Sequence, residues 1–159
     1  MRSAQESRVA AAQQRLLGWG LASEPVDPGA DIGRDLVLTS TAGGRGLAVV
    51  SGVPNLVQAL ETALTTALGD DVFNTAFGFD GVRMLASGLD PALTREGLRV
   101  AVIDVLRRDP RVRRIVEVSL DSSDTSGDRS RRTATVRAVC ETVAGDSVAL
   151  AVRGMVPGV

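Results

Sequence analysis

The fold is decided between residues 90 and 120, where the chain reads DPALTREGLRVAVIDVLRRDPRVRRIVEVSL. Asp90 followed by Pro91 is typical of a helix start, because a carboxylate can accept the first free N–H groups and proline needs no N–H partner there. Pro110 cannot continue a helix and biases Asp109 away from helical angles, so the helix is expected to end near Arg108. One face of this helix is predicted to be apolar, with Leu98, Ala101, Val102, Val105 and Leu106.

A strand is predicted directly after this helix, because the apolar period changes from about 3.6 to 2. We expect one face of the strand to carry Val112, Val116, Val118 and Leu120, and the other to carry Arg113, Ile115, Glu117 and Ser119. A helix and a strand joined so tightly must pack their apolar faces on a common core. This pair is therefore the expected nucleus of the fold.

The N-terminal part begins with a predicted helix over residues 3–17, followed by Trp19, which we expect to pack against the body of the domain. Residues 24–33 are rich in Pro, Gly and Asp and predict an irregular connector. We therefore divide the chain into an N-terminal helical extension with its linker, residues 1–28, and a main domain, residues 29–159.

The main domain is predicted to open with a small hairpin, formed by short strands at residues 35–39 and 46–50. A second helix is expected from residue 54 to residue 68, with Gly69 ending it at a positive φ angle. The irregular segment that follows holds all the phenylalanines, and we expect them to fill core between the helices: Phe73, Phe77 and Phe79.

The C-terminal part predicts a polar loop at residues 121–130 and two further strands on either side of a turn at residues 144–146. Cys140 belongs to the core-facing series of the first of these strands, which indicates a packing role rather than a reactive thiol. The predicted fold class is α+β: a three-stranded antiparallel C-terminal sheet with helices packed on one face, plus a small N-terminal hairpin and an N-terminal helix.

Composition restricts the chemistry of the 159-residue chain. It contains no His and no Lys, which excludes Ser-His and Cys-His dyads, Schiff-base chemistry and His-ligated zinc. A single cysteine excludes an internal disulfide and fits a reducing compartment. A net charge of −1 and 3% aromatic residues argue against nucleic acid, and no apolar run is long enough to cross a bilayer. We expect a cytosolic, non-enzymatic protein without cofactor or metal.

Two alternatives remain open. The carboxylates could include a glycoside-hydrolase pair, although each has an ordinary place at a cap, a turn or a helix face: Glu61, Asp70, Asp71, Asp80, Asp90 and Glu96. The arginines around Pro110 could bind an acidic protein partner or nucleic acid: Arg107, Arg108, Arg111, Arg113 and Arg114, with Arg129, Arg131 and Arg132 nearby. The alternative without a binding function is that Arg107 and Arg108 interact favourably with the dipole at the helix C-terminus and that the other arginines are solvated strand residues.

The last strand carries no charge from Val148 to Val152. Its inward face is predicted to consist of Val148, Leu150 and Val152. If this strand lies at the sheet edge, nothing in its sequence discourages another chain from pairing with it. Because natural proteins usually protect such edges, the run indicates a partner strand.

Over residues 33–152 the chain resembles the baseplate wedge proteins of contractile tails, a family sometimes labelled lysozyme-like for historical reasons. The similar segments are GRDLVLT, GLAVVSGVPNLVQAL, FGF and LTREGLRVAVIDVLRRDPRV. The best motif is Asp109-Pro110-Arg111 at the helix–strand junction, where the family typically has Glu-Pro-Arg. Asp for Glu keeps the charge but shortens the reach. The N-terminal helix and residues 121–130 lie outside the family pattern.

The resemblance implies a structural protein of a contractile phage tail, a type VI secretion system or an extracellular contractile injection system. Its expected partners are the sheath protein and other wedge and hub proteins, with several copies in a ring-like assembly of a bacterial cytoplasmic particle. We expect Pro110 to fix the junction turn, and Asp109 and Arg111 to make polar contacts across it or to a wedge neighbour. The expected interaction residues also include Arg113, Arg114, Val148, Leu150 and Val152.

Overall fold

The computed structural model describes residues 2–27, 30–41, 43–81, 90–123 and 131–157. In these ranges the chain has the predicted α+β class. Its elements are α1 (Arg2–Leu17), β1 (Trp19–Leu21), β2 (Ser23–Asp27), β3 (Ala30–Leu36), β4 (Leu38–Thr41), β5 (Gly44–Leu47), β6 (Val49–Ser51), α2 (Val53–Thr65), α3 (Pro91–Arg108), β7 (Val112–Ser123), β8 (Arg131–Thr142) and β9 (Ser147–Pro157). None of the helices in the described part of the chain is long and apolar enough to cross a membrane.

The C-terminal sheet has the strand order β7-β8-β9, and neighbouring strands run antiparallel. α2 lies against β9, and α3 lies against β7 and α2. The two helices and the sheet share one core, which also includes Leu17 at the end of α1: Leu17, Leu56, Leu60, Ala63, Leu64, Val102, Val105, Leu106, Val118, Ala138, Cys140, Val148, Leu150 and Val152. The predicted meander with helices on one face and the packing role of Cys140 are confirmed.

α3 begins at Pro91 and ends at Arg108, as predicted from the sequence. Asp90 Oδ1 accepts the backbone N–H of Ala92 at 2.8 Å, so the predicted N-cap of α3 is present. The C-cap residue Asp109 has extended backbone angles, as expected before Pro110.

β7 departs from strict alternation. Val118 is buried as predicted, but Val116 is exposed and Ile115 packs against the core. The ladder to β8 shifts register twice, at residues 112–114 and at residues 115–117. An extra residue at each shift exchanges the inward and outward positions. The prediction that Val112, Val116, Val118 and Leu120 share one face is therefore wrong. Assigning alternate residues to the same face is valid only where the strand has no bulge.

The described residues between 19 and 51 form a three-way β-junction instead of the single hairpin predicted there. β1 pairs with β6, β2 with β3 and β4 with β5, all antiparallel. Three backbone hydrogen bonds close a ring at the centre: Ala22 N–H donates to Ala48 C=O at 2.9 Å, Ala48 N–H to Val37 C=O at 2.8 Å, and Val37 N–H to Ala22 C=O at 2.9 Å. Residues 24–27 and 30–33 therefore belong to the paired strands β2 and β3, so the prediction of an irregular connector is wrong for these residues. The division of the chain at residue 28 stays a prediction.

The segment after α2 also differs from the prediction. Phe77 and Phe79 pack against the core, but the Phe73 side chain is 98% exposed. Asp71 Oδ1 accepts the N–H groups of Phe73 and Asn74, and the resulting tight turn directs Phe73 away from the helices. α2 ends at residue 65, three residues earlier than predicted, because the chain after it turns extended and forms a bridge to Phe79.

Trp19 also differs from the prediction, since 65% of its side chain is exposed rather than packed against the domain. Gly69 does have the expected positive φ angle, 92°. Of the predicted loop at residues 121–130, residues 124–130 lie outside the described part of the chain, and β7 extends to Ser123.

Candidate functional site

The Asp109-Pro110-Arg111 motif forms a closed polar clasp at the junction of α3 and β7. Asp109 Oδ1 accepts both the backbone N–H and the Nε–H of Arg111 at 2.9 Å, and Oδ2 accepts from Arg111 Nη2 at 2.6 Å. The bidentate arrangement matches the planar fork of a guanidinium to a carboxylate. Pro110 lies at the turn between the partners, and Val112 N–H donates to Asp109 C=O at 3.1 Å.

The same guanidinium reaches the N-terminal helix. Arg111 Nη1 donates to the C=O of Leu17, the last residue of α1, at 3.1 Å. Asn55 Nδ2 on α2 donates to the same carbonyl oxygen at 3.0 Å. A helix end has free C=O groups that need donors, so two separate elements stabilise the end of α1. The motif indicated a clasp, but no local sequence signal indicated its partner 94 residues away.

The electrostatics of the clasp follow from its partial burial. Burial raises the pKa of Asp109, but the hydrogen bonds and the positive charge of Arg111 outweigh this effect and hold the pKa below its ordinary value. The hydrogen bond to Asp109 raises the pKa of Arg111, although burial opposes the shift. Nearby, burial and the negative charge of Asp109 both raise the pKa of the Cys140 thiol. This shift favours the protonated thiol and agrees with a packing role.

The remaining arginines of the cluster point to different partners. Arg108 Nη1 donates to the C=O of Ala76 at 2.8 Å, beside a cleft of about 390 Å³ between α2 and α3. Arg114 pairs with Glu141 of β8 at 2.6 Å, while the Arg107 and Arg113 side chains are exposed. The structure therefore brings Asp109 and Arg111 together and leaves Arg113 and Arg114 on the sheet surface. The side chains of Arg129, Arg131 and Arg132 lie outside what the structure describes.

β9 is an edge of the sheet, since among the described strands it forms a ladder with β8 alone. Val148, Leu150 and Val152 are buried against α2 and the other core residues. Their outward neighbours Ala149 and Ala151 are exposed. The three predicted interaction residues of β9 therefore pack in the core and are not available to a partner. The groups of this strand that could contact a partner are its backbone and the two alanines. β3 lies near β9 without forming a ladder to it.

Four of the six carboxylates of the enzymatic alternative have local structural partners that account for them. Glu61 pairs with Arg34 at 3.0 Å and Glu96 with Arg99 at 3.1 Å. Asp90 caps α3, and Asp71 closes the turn before Phe73. Within the described residues, no group of three or more His, Cys, Asp or Glu side chains is placed to hold a metal ion.

Comparison with known proteins adds no family to these observations. No protein-family model matches the chain, and no curated protein matches it.

Proposed function

We propose that this protein is a structural baseplate wedge component of a contractile injection system or phage tail. It links the wedge to the first sheath ring and starts sheath assembly by pairing β9 with a strand of the sheath protein. The observation that carries the proposal is the edge position of β9 combined with its uncharged run from Val148 to Val152.

The two edges of the sheet differ in how they discourage pairing. β7 contains two irregularities in its ladder, and it carries Arg113, Arg114 and Glu117 as exposed charged side chains. Bulges and charges are devices by which natural proteins prevent other strands from adding to an edge. β9 pairs with β8 in unbroken register over the whole ladder from Ser147 to Pro157. Strand addition is therefore favoured at β9.

β9 is also well supported for this role. Its inward side chains pack on α2 in the core, so the strand is already extended and little further ordering is needed when a partner adds. Ala149 and Ala151 are small, so they leave room beside the outward face for a partner's side chains. Main-chain hydrogen bonds would supply the affinity in this mode of recognition.

The clasp has a supporting role in the proposal. Asp109 and Arg111 are joined to each other and to Leu17, so they fix α1, α3 and β7 relative to one another. A rigid body positions an edge strand more reproducibly than a mobile one. Arg111 thus acts through the position of the sheet and not through direct contact with a sheath subunit.

The proposal is tested by placing charge on the edge strand. Ala149→Lys combined with Ala151→Lys puts two solvated cations on the edge strand β9, which should reduce seeded polymerisation of the purified sheath protein from the same host by about tenfold or more. The control is Val116→Lys, a change at an exposed position on the opposite edge, which should leave seeding unchanged.

Both variants must first show the wild-type melting temperature and circular dichroism. Equal seeding by the β9 variant and wild type would contradict strand pairing at this edge. The class of protein is tested separately by tagging the chain in its native host and identifying the proteins that co-purify. Sheath, tube and baseplate proteins are expected, and their absence would contradict the wedge assignment.

A further inference from the structure

The three-way junction presents an apolar surface that neither the clasp nor β9 uses. Six of its large apolar side chains are between 40% and 65% exposed: Trp19, Leu21, Leu36, Leu38, Leu47 and Val49. We call these residues the junction face. Such a concentration of exposed apolar side chains in one small region is typical of an interaction site.

The strand registers place these side chains on one side. Leu21 is the cross-strand partner of Val49, and Leu38 is the partner of Leu47, and directly opposed residues of an antiparallel pair share a face. Residues two apart on an extended chain also share a face, which adds Trp19 to Leu21 and Leu36 to Leu38. The central residues of the junction, at positions 22, 37 and 48, alternate to the other side and are partly buried.

The size of the junction face fits a stable protein interface. A fully exposed aliphatic side chain corresponds to roughly 60–120 Å² and an aromatic one to about 150–250 Å². At the observed exposures the six side chains present about 400 Å² of apolar area. With the usual polar rim this corresponds to about 700 Å² per partner, close to the standard interface of about 800 Å².

The charged residues on the same side as the junction face determine what kind of partner surface can cover it. By the same alternation, Arg34 and Arg45 are its charged residues among those whose side chains the structure describes, and Arg34 is already neutralised by Glu61. Arg45 lies in the β4–β5 hairpin at the rim, where water can solvate it. Glu24 and Asp35 are cross-strand partners on the opposite side. An apolar partner can therefore close over the centre of the face without burying an unpaired charge.

We propose that two copies of this chain pair through their junction faces when the protein is free in solution. The two twisted β-layers pack apolar side to apolar side, as the sheets of a β-sandwich do. Because both copies contribute the same residues, the interface is isologous and closes as a dimer. This inference does not depend on the wedge assignment or on strand pairing at β9.

Trp19 gives a direct measurement, because it is the only tryptophan and belongs to the junction face. Purified full-length protein is studied by sedimentation equilibrium and by tryptophan fluorescence over the same concentration range. We expect a monomer–dimer equilibrium, with emission shifting to shorter wavelength and acrylamide quenching falling as the dimer forms. Both signals should give the same dissociation constant.

The matched variants are Leu38→Asp on the junction face and Phe73→Asp, an exposed apolar residue elsewhere. Leu38→Asp should weaken the dimer by about tenfold or more, because it places an unpaired carboxylate in the apolar interface. Phe73→Asp should leave the dimer unchanged. Val49→Lys is a second variant on the face, used if Leu38→Asp lowers the melting temperature.

Three outcomes would overturn the proposal. The first is a monomer at every concentration, which would leave the junction face to a different protein or to a lipid surface. The second is a dimer that forms with no change in the environment of Trp19. The third is a dimer that Phe73→Asp weakens as much as the face variants do.

Discussion

Arg111 joins three parts of the chain through one guanidinium group. Its Nε and Nη2 groups donate to Asp109, as does the backbone N–H of Arg111, and Nη1 donates to the C=O of Leu17 at the end of α1. Arginine suits this position because its planar fork can serve a carboxylate and a carbonyl at the same time. Asp109 is short enough that the clasp closes within the turn, so the shorter reach relative to glutamate does not prevent an internal contact.

Arg111→Ala should lower the free energy of unfolding by about 2 kcal/mol, because it leaves the partly buried Asp109 carboxylate without its cation and the Leu17 carbonyl with one donor fewer. Arg111→Lys should recover only part of this loss, since an ammonium group cannot form the bidentate contact. Urea unfolding measures both values. The control is Arg113→Ala, an exposed residue at the start of β7, with an expected change within about 0.5 kcal/mol. Equal effects at the two positions would contradict the clasp.

The clasp should also be visible in the pH dependence of stability. The folded pKa of Asp109 is depressed, so its contribution is fully present above the unfolded value of about 3.9 and is lost as pH falls through the folded pKa. In Asp109→Asn this contribution is removed at every pH. The difference in unfolding free energy between wild type and Asp109→Asn should therefore be constant above about pH 5 and shrink below about pH 4. A difference that grows on acidification would contradict the assigned direction.

At the scale of elements, the end of α2 is fixed by a close backbone approach. Phe79 N–H donates to Thr66 C=O at 2.8 Å, and Leu68 N–H donates back to Phe79 C=O at 3.1 Å. Gly78, with φ 108°, permits this approach, because a Cβ there would lie 2.6 Å from Ala67 O. This contact brings Phe77 and Phe79 to the core although the segment is otherwise irregular.

Gly78→Ala should destabilise the protein by about 1–3 kcal/mol more than Gly145→Ala. Both glycines have positive φ angles, but a Cβ on Gly145 meets nothing within 4 Å, so that change reports conformational strain alone, about 1–2 kcal/mol. Thermal or urea unfolding of the two variants isolates the steric term. Similar losses in both would show that the loop can move away from α2 at little cost.

At the scale of the whole molecule, a single hydrophobic core supports the β9 edge, and the junction face is a separate exposed surface. The inward residues of β9 belong to the same cluster as α2 and α3, and Leu17 joins α1 to it. The β9 edge and the junction face present different chemistry, the backbone of an edge strand in one case and apolar side chains in the other. The sheath-seeding and sedimentation experiments therefore test separate surfaces, and either can fail without the other.

The central helix, the three-stranded sheet and the core positions of β9 could be predicted from the sequence. Each depends on local signals: a cap at Asp90, a stop at Pro110 and an apolar alternation at Val148, Leu150 and Val152. Such signals act between residues close in sequence, where the backbone geometry is already known. The clasp motif itself was also recognisable, because Asp109 and Arg111 are two residues apart.

The partner of Arg111, the bulges of β7 and the junction face all depend on contacts between distant parts of the chain. Leu17 meets Arg111 across 94 residues, and the register shifts of β7 depend on how β8 pairs with it. The junction face forms because three separate strand pairs meet at one ring of backbone hydrogen bonds. Sequence determined which residues are apolar and which local elements they form. Which of them remain exposed depends on long-range pairing, which no local period encodes.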